Sequence, residues 1–217
     1  MLKGIIFDFD GVLVDSHPAH KLAWRKLLQE LGQHIAEDDL AIVSEGLKKK
    51  EILRHFLGDL SGEQIQRYGE RKDELFQASI SSVRIVAGVN SLLHEASRAG
   101  IKMAVASSAS RSRVMLMMRE LRLLQFFDEV VAAEDVLSGK PDPEVFLRAA
   151  SLLRIHRASI LACEDAIYGV QAAKAAGMKC LGIASEGREE SLAKAGADKI
   201  VSDFNSVTLP DLQALFS

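Results

Sequence analysis

Two carboxylates follow an apolar run near the start of the chain, in the stretch IIFDFDGVLVDS at residues 5–16. The run should form a buried strand, so Asp8 and Asp10 lie where an unpaired charge costs several kcal/mol. Their spacing directs both side chains to the same side while the chain stays extended. A divalent cation would remove the repulsion between them, and oxygen ligands suit Mg²⁺. An acidic loop in which Asp10 caps a turn would give the same pattern.

A second acidic pair, Glu164 and Asp165, ends another apolar run in ILACEDAIYG. If both runs are strands of one open parallel sheet, their carboxyl ends meet at the crevice where such sheets bind ligands. Acidic residues also favour the N-terminus of a helix, which explains one of these two residues better than both. The pattern favours a single site on which both acidic pairs converge.

Candidate anion-binding groups stand in two loops. Lys140 lies between Gly139 and Pro141 in SGKPDPEVF, before a segment with a helical pattern. A lysine held there could bind a phosphate as a point charge, or it could be an ordinary solvated lysine. Ser107 and Ser108 follow an apolar run in AVASSASRS, where hydroxyl and backbone N–H groups can bind phosphoryl oxygens. Serines are common in turns, so this second signal is weak by itself.

Six short apolar runs should position these residues: GIIFDF, IKMAVAS, DEVVAA, SILACED, KCLGIA and DKIVS. Each run is continuous rather than alternating, as expected for parallel strands that helices cover on both faces. Helical patterns separate the runs, at residues 91–99, 111–124, 143–153, 166–176 and 189–195. This alternation predicts an α/β fold with a doubly wound, Rossmann-like parallel sheet.

The segment between the first two runs shows helical patterns and no convincing strand. An all-helical block after the first strand of an α/β domain suggests a lid over the site. We therefore expect an α/β core domain formed by residues 1–15 and 82–217 and a helical cap domain formed by residues 16–81. The hinges should lie near residues 15–17 and 81–86.

The composition limits the function. Of 217 residues, 48% are hydrophobic and 26% are charged, and the formal net charge is -3. Nucleic-acid-binding proteins are usually basic, so we expect no nucleic-acid partner. No segment reaches the ~18 apolar residues of a membrane span, so no membrane partner is expected either, and the N-terminus lacks a signal-peptide pattern. The two cysteines, Cys163 and Cys180, do not make a disulfide framework, which favours a reducing cytoplasm.

The order of the motifs DFDGVLVDS, VASS, GKPDP and CEDAIYGVQAAKAAG resembles the haloacid dehalogenase superfamily of phosphotransferases, within its β-phosphoglucomutase-like group. The resemblance covers essentially the whole chain, and the helical block resembles that family's four-helix cap. It implies a monomeric enzyme that acts on a small phosphorylated molecule. The dehalogenases of the superfamily lack the second aspartate of the pair and need no metal, so Asp10 argues against dehalogenation.

The resemblance also implies roles for the acidic residues. Asp8 would be the nucleophile that becomes an aspartyl phosphate, and Asp10 would be the general acid and base. Mg²⁺ would be held by the Asp8 carboxylate, the backbone carbonyl of Asp10, and Asp165, with Glu164 as a further candidate ligand. Three groups would bind the transferring phosphoryl group: Ser107, Ser108 and Lys140.

In the expected cap, His20 and Trp24 match a histidine and a tryptophan of the mutase group, and Lys72 matches a lysine. The resemblance implies that His20, Lys49 and Lys72 contact the substrate. Lys49 stands where the mutase has an arginine, and it keeps the charge without the planar fork. Each residue also has a plain structural interpretation: an interface histidine, a core tryptophan and solvated helix lysines.

Further departures weaken the resemblance to the mutase itself: Ala166 replaces a serine, Ala87 replaces a proline, and SSASRS replaces a loop with a lysine–asparagine pair. A mutase must exclude water from its aspartyl phosphate, whereas a phosphatase admits it. Our first hypothesis is hydrolysis of a small phosphorylated metabolite, with a sugar phosphate as the expected class. The second is a β-phosphoglucomutase-type isomerase that interconverts β-glucose 1-phosphate and glucose 6-phosphate. The third is a non-catalytic phosphate-binding regulatory module.

Overall fold

The computed structural model describes residues 1–36, 38–184 and 187–217. Strands and helices alternate along most of the chain, as the apolar runs predict. In chain order they are β1 (Gly4–Phe7), β2 (Val14–Asp15), α1 (His17–Glu30), α2 (Lys49–Leu57), α3 (Gly62–Gln77), β3 (Arg84–Ile85), α4 (Val89–Arg98), β4 (Lys102–Ala106), α5 (Arg111–Glu120), β5 (Glu129–Val131), α6 (Glu144–Leu153), β6 (Ile160–Glu164), α7 (Ile167–Ala175), β7 (Lys179–Ile183), α8 (Glu189–Ala195), β8 (Lys199–Val201) and α9 (Leu209–Ala214).

A six-stranded sheet in the order β5-β4-β1-β6-β7-β8 forms the centre of the fold. Strand β1 pairs in parallel with both β4 and β6, so that Phe7 lies opposite Val105 and Cys163. The remaining neighbours in this sheet are also parallel. All six carboxyl ends therefore face one edge, which confirms the predicted Rossmann-like α/β fold.

Successive residues of β1 point into different hydrophobic clusters on the two faces of the sheet. Ile5 and Phe7 belong to the cluster on one face, whereas Ile6 belongs to the cluster on the other. This alternation is the pleat of a strand that helices cover on both sides. Each such side chain contributes about 1.5–3 kcal/mol by leaving water. The two free cysteines, Cys163 and Cys180, are buried in this core.

Residues 16–81, which we call the helical insert, contain α1, α2, α3 and a 3-10 segment at Asp38–Ser44. Their apolar faces meet in a cluster that includes Trp24, Leu40 and Leu53, all nearly or fully buried. The tryptophan thus packs among apolar side chains, as its plain structural interpretation requires. No helix in the described parts of the chain is both long and apolar enough to cross a bilayer.

A short antiparallel pair, β2 with β3, joins the two ends of the helical insert. Val14 lies opposite Ile85, and Asp15 lies opposite Arg84. The pair falls where hinges were expected from the sequence. Each strand has only two residues, and an apolar pattern cannot predict so short a strand.

Helix α5 is shorter than the helical pattern predicts. The pattern continues to residue 124, but the helix ends at Glu120 and Arg122 adopts a φ of 55°. A non-glycine residue in that left-handed region interrupts the helical hydrogen bonds. Leu124 then begins a short 3-10 turn that leads into β5. Helices α6, α7 and α8 begin and end within one residue of the expected bounds, whereas α9 was not predicted.

Candidate active site

A cavity beyond the carboxyl end of the sheet, which we call the central cavity, lies between the sheet and the helical insert. Most of the candidate site residues line it: Asp8, Asp10, His20, Lys49, Lys72, Ser107, Ser108 and Asp165. Lys140 and Glu164 lie directly behind Asp8. The volume of the central cavity is about 80 Å³, well below the ~300 Å³ of small ligand pockets. A sugar-sized ligand therefore enters only if lining side chains or the helical insert move.

Lys140 links two carboxylates from adjacent strands. Its Nζ donates to Asp8 Oδ1 at 2.5 Å, to Glu164 Oε1, and to the carbonyl of Ala106 at 3.4 Å. The lysine side chain is 1% exposed. Asp8 follows β1 and Glu164 ends β6, so the parallel pairing of these strands brings the two acids to one ammonium group.

In the trio of Asp8, Glu164 and Lys140, burial and the neighbouring charges shift each pKa in opposite directions. Burial raises the pKa of Asp8 and of Glu164, although the Lys140 ammonium partly opposes it. Burial alone would lower the pKa of Lys140, but the two carboxylates outweigh it and raise that pKa. Two carboxylates share one ammonium group, so the ionised trio is net negative and attracts further positive charge.

A metal ion fits the acidic residues at this edge. Asp8, Glu164 and Asp165 are buried, and each offers a carboxylate oxygen within 4.8 Å of those of the other two. The backbone N–H of Asp165 donates to Glu164 Oε2 at 3.0 Å, which orients that carboxylate. Asp165 Oδ2 lies 2.6 Å from Nε2 of His17. Three clustered carboxylates form the kind of oxygen ligand set that binds Mg²⁺.

Two glycines leave the space that these carboxylates fill. A Cβ at Gly169 would lie 2.0 Å from the carboxyl carbon of Glu164, and a Cβ at Gly11 would lie 2.1 Å from Asp165 Oδ2. Gly11 also has a φ of +82°, which other residues rarely adopt. A side chain at either position would displace a carboxylate.

Asp10 is surrounded by hydrogen-bond donors. Ser16 Oγ donates to Oδ1 at 2.5 Å, and Nε2 of His20 lies 3.3 Å from the same oxygen. Arg113 grips both oxygens, with Nη1 donating to Oδ1 at 2.9 Å and Nη2 donating to Oδ2. Burial alone would raise the pKa of Asp10, but Arg113 and His20 outweigh it and hold the pKa well below its usual value.

His20 and Lys72 form a buried pair beside Asp10. Lys72 Nζ lies 2.6 Å from His20 Nδ1, and the His20 ring stacks on Phe76 at 4.3 Å between centroids. Burial and the nearby Lys72 charge lower the pKa of His20 to about 3. Burial and the Arg113 charge lower the pKa of Lys72 to about 7. Lys72 is 3% exposed, so it is not the solvated helix lysine of its plain interpretation.

The two candidate phosphate-binding serines have different surroundings. Ser107 is 1% exposed and its Oγ accepts from the backbone N–H of Ala109 at 3.1 Å. Ser108 Oγ instead donates to the carbonyl of Gly46 at 2.7 Å, which belongs to the helical insert. Ser108 thus connects the loop after β4 to the helical insert.

Lys49 lines the central cavity but its ammonium group is engaged within the helical insert. It donates to the carbonyl of Gly69 at 3.2 Å and pairs with Asp73. Both side chains of the ion pair are about one-third exposed. A lysine that contacts a distal substrate group would have to leave Asp73.

Lys48, which the sequence interpretation overlooked, attaches the helical insert to the α/β core. Its Nζ donates to the carbonyls of Ala133, Val136 and Leu137, at 3.4, 3.0 and 3.3 Å. The residue is 8% exposed, and burial lowers its pKa.

Arg113 is the principal cavity residue that the sequence interpretation missed. It lies in the first turn of α5, directly after the Ser107–Ser108 loop. Because β4 neighbours β1, a long side chain on the inner side of this turn can reach Asp10. The adjacency of β4 and β1 comes from the strand order of the folded sheet, and the arginine carried no signal of its own in the sequence.

Comparison with known proteins decides the family. The model of the haloacid dehalogenase-like hydrolases matches residues 5–183. The chain belongs to this family. A β-phosphoglucomutase from Bacillus subtilis (strain 168) is 30% identical over 217 residues, covering 96% of this chain and 92% of that protein. A validoxylamine A 7'-phosphate phosphatase from Streptomyces hygroscopicus subsp. limoneus is 29% identical, covering 98% and 99%.

A solved structure extends the similarity to the arrangement of the whole chain. The crystal structure of β-phosphoglucomutase from Clostridium difficile superposes with a TM-score of 0.90 at 28% identity. It covers 100% of this chain and 97% of that one. This haloacid dehalogenase-like chain is therefore similar along its full length both to a phosphomutase and to a phosphatase.

Proposed function

We propose that this chain is a phosphatase that hydrolyses a small phosphorylated metabolite, with a sugar phosphate as the expected class. The observation that carries the proposal is the position of Asp8, which contacts Lys140 and lies within a cluster of carboxylates, with Asp10 in the same cavity. The family and the names of the similar proteins support phosphoryl transfer.

In the first step, a carboxylate oxygen of Asp8 attacks phosphorus and the bond from phosphorus to the leaving oxygen breaks. Asp10 donates its proton to that leaving oxygen, and the product is an aspartyl phosphate on Asp8. The Lys140 ammonium and the Ser107 hydroxyl would bind the phosphoryl oxygens, because this reaction depends on positioning and charge neutralisation.

In the second step, Asp10 takes a proton from water as the water oxygen attacks phosphorus. The bond from phosphorus to the Asp8 oxygen breaks, which releases inorganic phosphate and restores both carboxyl groups. Asp10 therefore ends the cycle protonated. In the ligand-free site Arg113 and His20 hold the pKa of Asp10 well below its usual value, so Asp10 must leave Arg113 and take up a proton before the first step. The same group serves both steps because it lies beside Asp8 in the central cavity.

We propose Mg²⁺ as the cofactor, held by Asp8, Asp165 and the backbone carbonyl of Asp10, with Glu164 nearby. A bound Mg²⁺ supplies charge neutralisation for the phosphoryl oxygens. Lys140 would keep its contact with Glu164, so one ammonium group and one cation would together balance the carboxylates. The fit of the three clustered carboxylate oxygens supports this assignment.

We further propose that residues 16–81 act as a cap domain over a core of residues 1–15 and 82–217. The separate apolar cluster of the helical insert supports this division. His20, Lys49 and Lys72 would then contact the substrate from the cap side. The monomeric state and cytoplasmic location expected from the sequence remain predictions.

A β-phosphoglucomutase-type isomerase is the second candidate. The similarity to two proteins named β-phosphoglucomutase favours it, as does the pairing of Asp10 with His20. The ion pair of Lys49 with Asp73 counts against it, because Lys49 is the residue expected to grip a distal phosphate.

The test is one reaction with two products measured. Purified protein with Mg²⁺ receives β-glucose 1-phosphate and a trace of glucose 1,6-bisphosphate, and then a panel of other sugar phosphates. Free phosphate identifies a phosphatase, and glucose 6-phosphate without free phosphate identifies the mutase. Acid quenching during turnover should show the protein mass increased by one phosphoryl group.

Asp8→Asn should lower turnover by at least about 10³-fold and abolish the mass increase, because a carboxamide does not replace the nucleophile. Asp15→Asn is the matched control, since Asp15 is an exposed carboxylate on β2. Phosphate release by the Asp8→Asn variant at the wild-type rate would refute the aspartyl-phosphate route. An absence of both products on the full panel would favour the regulatory module.

A further inference from the structure

His17 contacts the candidate metal ligand Asp165 from the hinge of the helical insert. It is the first residue of α1 and is separated from strand β2 by a single residue, Ser16. Its Nε2 lies 2.6 Å from Asp165 Oδ2. Ser16 Oγ donates to Asp10 Oδ1 at 2.5 Å. Two successive hinge residues are therefore each hydrogen-bonded to one carboxylate of the site.

The hydrogen bond between His17 and Asp165 has a defined direction. An ionised carboxylate only accepts hydrogen bonds, so Nε2 of His17 must carry a proton and donate it to Oδ2. A carboxylate has two oxygens with several lone pairs, so one oxygen can accept from the ring while the other binds a cation. The contact is thus compatible with Asp165 as a metal ligand.

The three clustered carboxylates differ in what holds them in place. Lys140 contacts Asp8 and Glu164, and a backbone N–H also donates to Glu164 at 3.0 Å. Within the part of the chain that the structure describes, the carboxylate of Asp165 is hydrogen-bonded to His17 alone. The orientation of this one carboxylate therefore depends on the histidine.

Gly11 leaves the space in which the two side chains meet. A Cβ at position 11 would lie 2.1 Å from Asp165 Oδ2 and 2.3 Å from His17 Nε2. Both distances are far below the ~3.5 Å of van der Waals contact, so a side chain there would push the ring and the carboxylate apart. The turn after β1 is thus fitted to their hydrogen bond.

Two further cavities lie beside His17. One, of about 300 Å³, adjoins the hinge strands and is lined in part by His17, Asp165 and Arg84. The other, of about 710 Å³, is lined in part by His17, Lys21 and Glu45. The His17 side chain is 25% exposed and that of Asp165 is 9% exposed. A much smaller residue at position 17 would let water reach Asp165 and replace the ring as donor.

We propose that His17 is a positioning residue for metal binding, whose Nε2–H holds the Asp165 carboxylate in the orientation that completes the metal site. The proposal rests on the Mg²⁺ assignment made above and deepens it. It gives the hinge a part in cation binding, because His17 belongs to the helical insert and Asp165 follows β6 of the sheet. Hydrogen bonds to ligating groups commonly contribute about 10- to 100-fold to metal affinity.

Two other interpretations of His17 predict different results. If the ring instead occupies the place of the cation, its removal strengthens Mg²⁺ binding. If the ring only packs the hinge, its removal leaves the Mg²⁺ affinity unchanged and lowers kcat at every Mg²⁺ concentration. A positioning role weakens Mg²⁺ binding and leaves kcat near the wild-type value once Mg²⁺ is saturating. The metal affinity and its separation from kcat therefore distinguish the three interpretations.

The experiment measures the Kd of Mg²⁺ by calorimetry on the metal-free protein without substrate. His17→Leu removes the donor but fills a similar volume, so that water does not take its place. It should raise Kd about 10- to 100-fold. His17→Gln presents an amide N–H near the position of Nε2 and should return Kd to within about threefold of the wild-type value. His55→Leu is the matched control, because His55 is exposed on α2 of the same insert, and it should leave Kd unchanged.

Phosphate release gives a second readout. In His17→Leu the Mg²⁺ concentration for half-maximal activity should rise by about the same factor as Kd, while kcat at saturating Mg²⁺ stays within about threefold of wild type. An unchanged or lower Kd in His17→Leu overturns the proposal, and so does a Kd in His17→Gln as high as in His17→Leu. A loss of kcat that saturating Mg²⁺ does not restore overturns it as well.

Failure of the proposed function gives a different result. A wild-type protein that binds Mg²⁺ but releases no phosphate from any substrate fails as a phosphatase, and calorimetry on the variants still decides the role of His17. A wild-type protein that binds no Mg²⁺ overturns both the cofactor assignment and the role of His17.

Discussion

Lys72 Nζ lies 2.6 Å from Nδ1 of His20, and this contact determines which ring nitrogen of the histidine carries the proton. Below the Lys72 pKa of about 7 its ammonium group has donors only, so Nδ1 accepts and the proton of the neutral ring resides on Nε2. From there it points toward Asp10 Oδ1 at 3.3 Å. Lys72 therefore orients the hydrogen bond from His20 to Asp10, the candidate general acid and base, without contacting Asp10 itself.

Replacement of this lysine should change the titration of the histidine. In Lys72→Met the pKa of His20 should rise from about 3, because the adjacent positive charge is lost. It should remain below the ordinary value, since burial still disfavours the charged ring. NMR titration of the His20 ring measures the change. Lys50→Met, on an exposed face of α2, should leave the ring unchanged, whereas an unshifted ring in Lys72→Met would refute the coupling.

The same variant should alter how the free energy of unfolding depends on pH. Lys72 has a pKa of about 7 when folded and about 10.4 when unfolded. Between these values the unfolded chain binds the extra proton, so Lys72 makes the free energy of unfolding rise with pH. Denaturant titrations at pH 7 and 9 should show a smaller rise in Lys72→Met than in the wild-type protein. An equal rise in both would contradict the shifted pKa.

Lys140→Met should destabilise the protein strongly when divalent cations are chelated. It leaves Asp8 and Glu164 buried without their ammonium partner, and broken buried pairs cost about 3–5 kcal/mol. Because the folded pKa of Lys140 is raised, this contribution is complete at neutral pH and is lost only in strongly alkaline solution. Thermal unfolding measures the loss, and added Mg²⁺ should recover part of it.

The control for that experiment is Lys179→Met. Lys179 pairs with Asp198 at 3.1 Å with a 46% exposed side chain. Such surface pairs contribute about 0–1 kcal/mol, so its melting temperature should change little with or without Mg²⁺. Equal melting temperatures for Lys140→Met and the wild-type protein in chelator would show that burial of Asp8 and Glu164 does not require the Lys140 ammonium group.

Lys48→Met should loosen the helical insert from the core. Methionine keeps the length of the side chain but removes the three contacts with the carbonyls of Ala133, Val136 and Leu137. Hydrogen bonds to a charged group contribute about 1.5–3 kcal/mol. Hydrogen exchange should therefore become faster in residues 44–50 and 133–139. Lys50→Met should not change it, and unaltered exchange in both segments of Lys48→Met would exclude Lys48 as the attachment.

The sequence predicted the sheet because its signals are local. A short continuous apolar run such as GIIF is typical of a strand with both faces covered, and the acids that follow mark its carboxyl end. Asp8, Glu164 and Lys140 were consequently expected at one edge, and the structure brings them together. The strands β2 and β3 were not predicted, because two residues are too few to show a periodic apolar pattern.

Partners of long side chains were harder to predict. The ion pair of Lys49 with Asp73, 24 residues away, was not predicted, because it depends on how α2 packs against α3. Lys48 and Arg113 make contacts 85 to 103 residues away. Such pairings depend on the tertiary structure, and no spacing rule within one segment reveals them.

Gly169 limits which amino-acid substitutions the chain can accept beside Glu164. The Glu164 carboxylate occupies the volume that any side chain on that turn of α7 would fill. Any other residue at position 169 would therefore push the Glu164 carboxylate out of its contact with Lys140, while a shorter residue at 164 would leave room for alanine at 169. The effects of substitutions at 164 and 169 should depend on each other, and a mutational library should be enriched in changes at 169 that occur together with changes at 164.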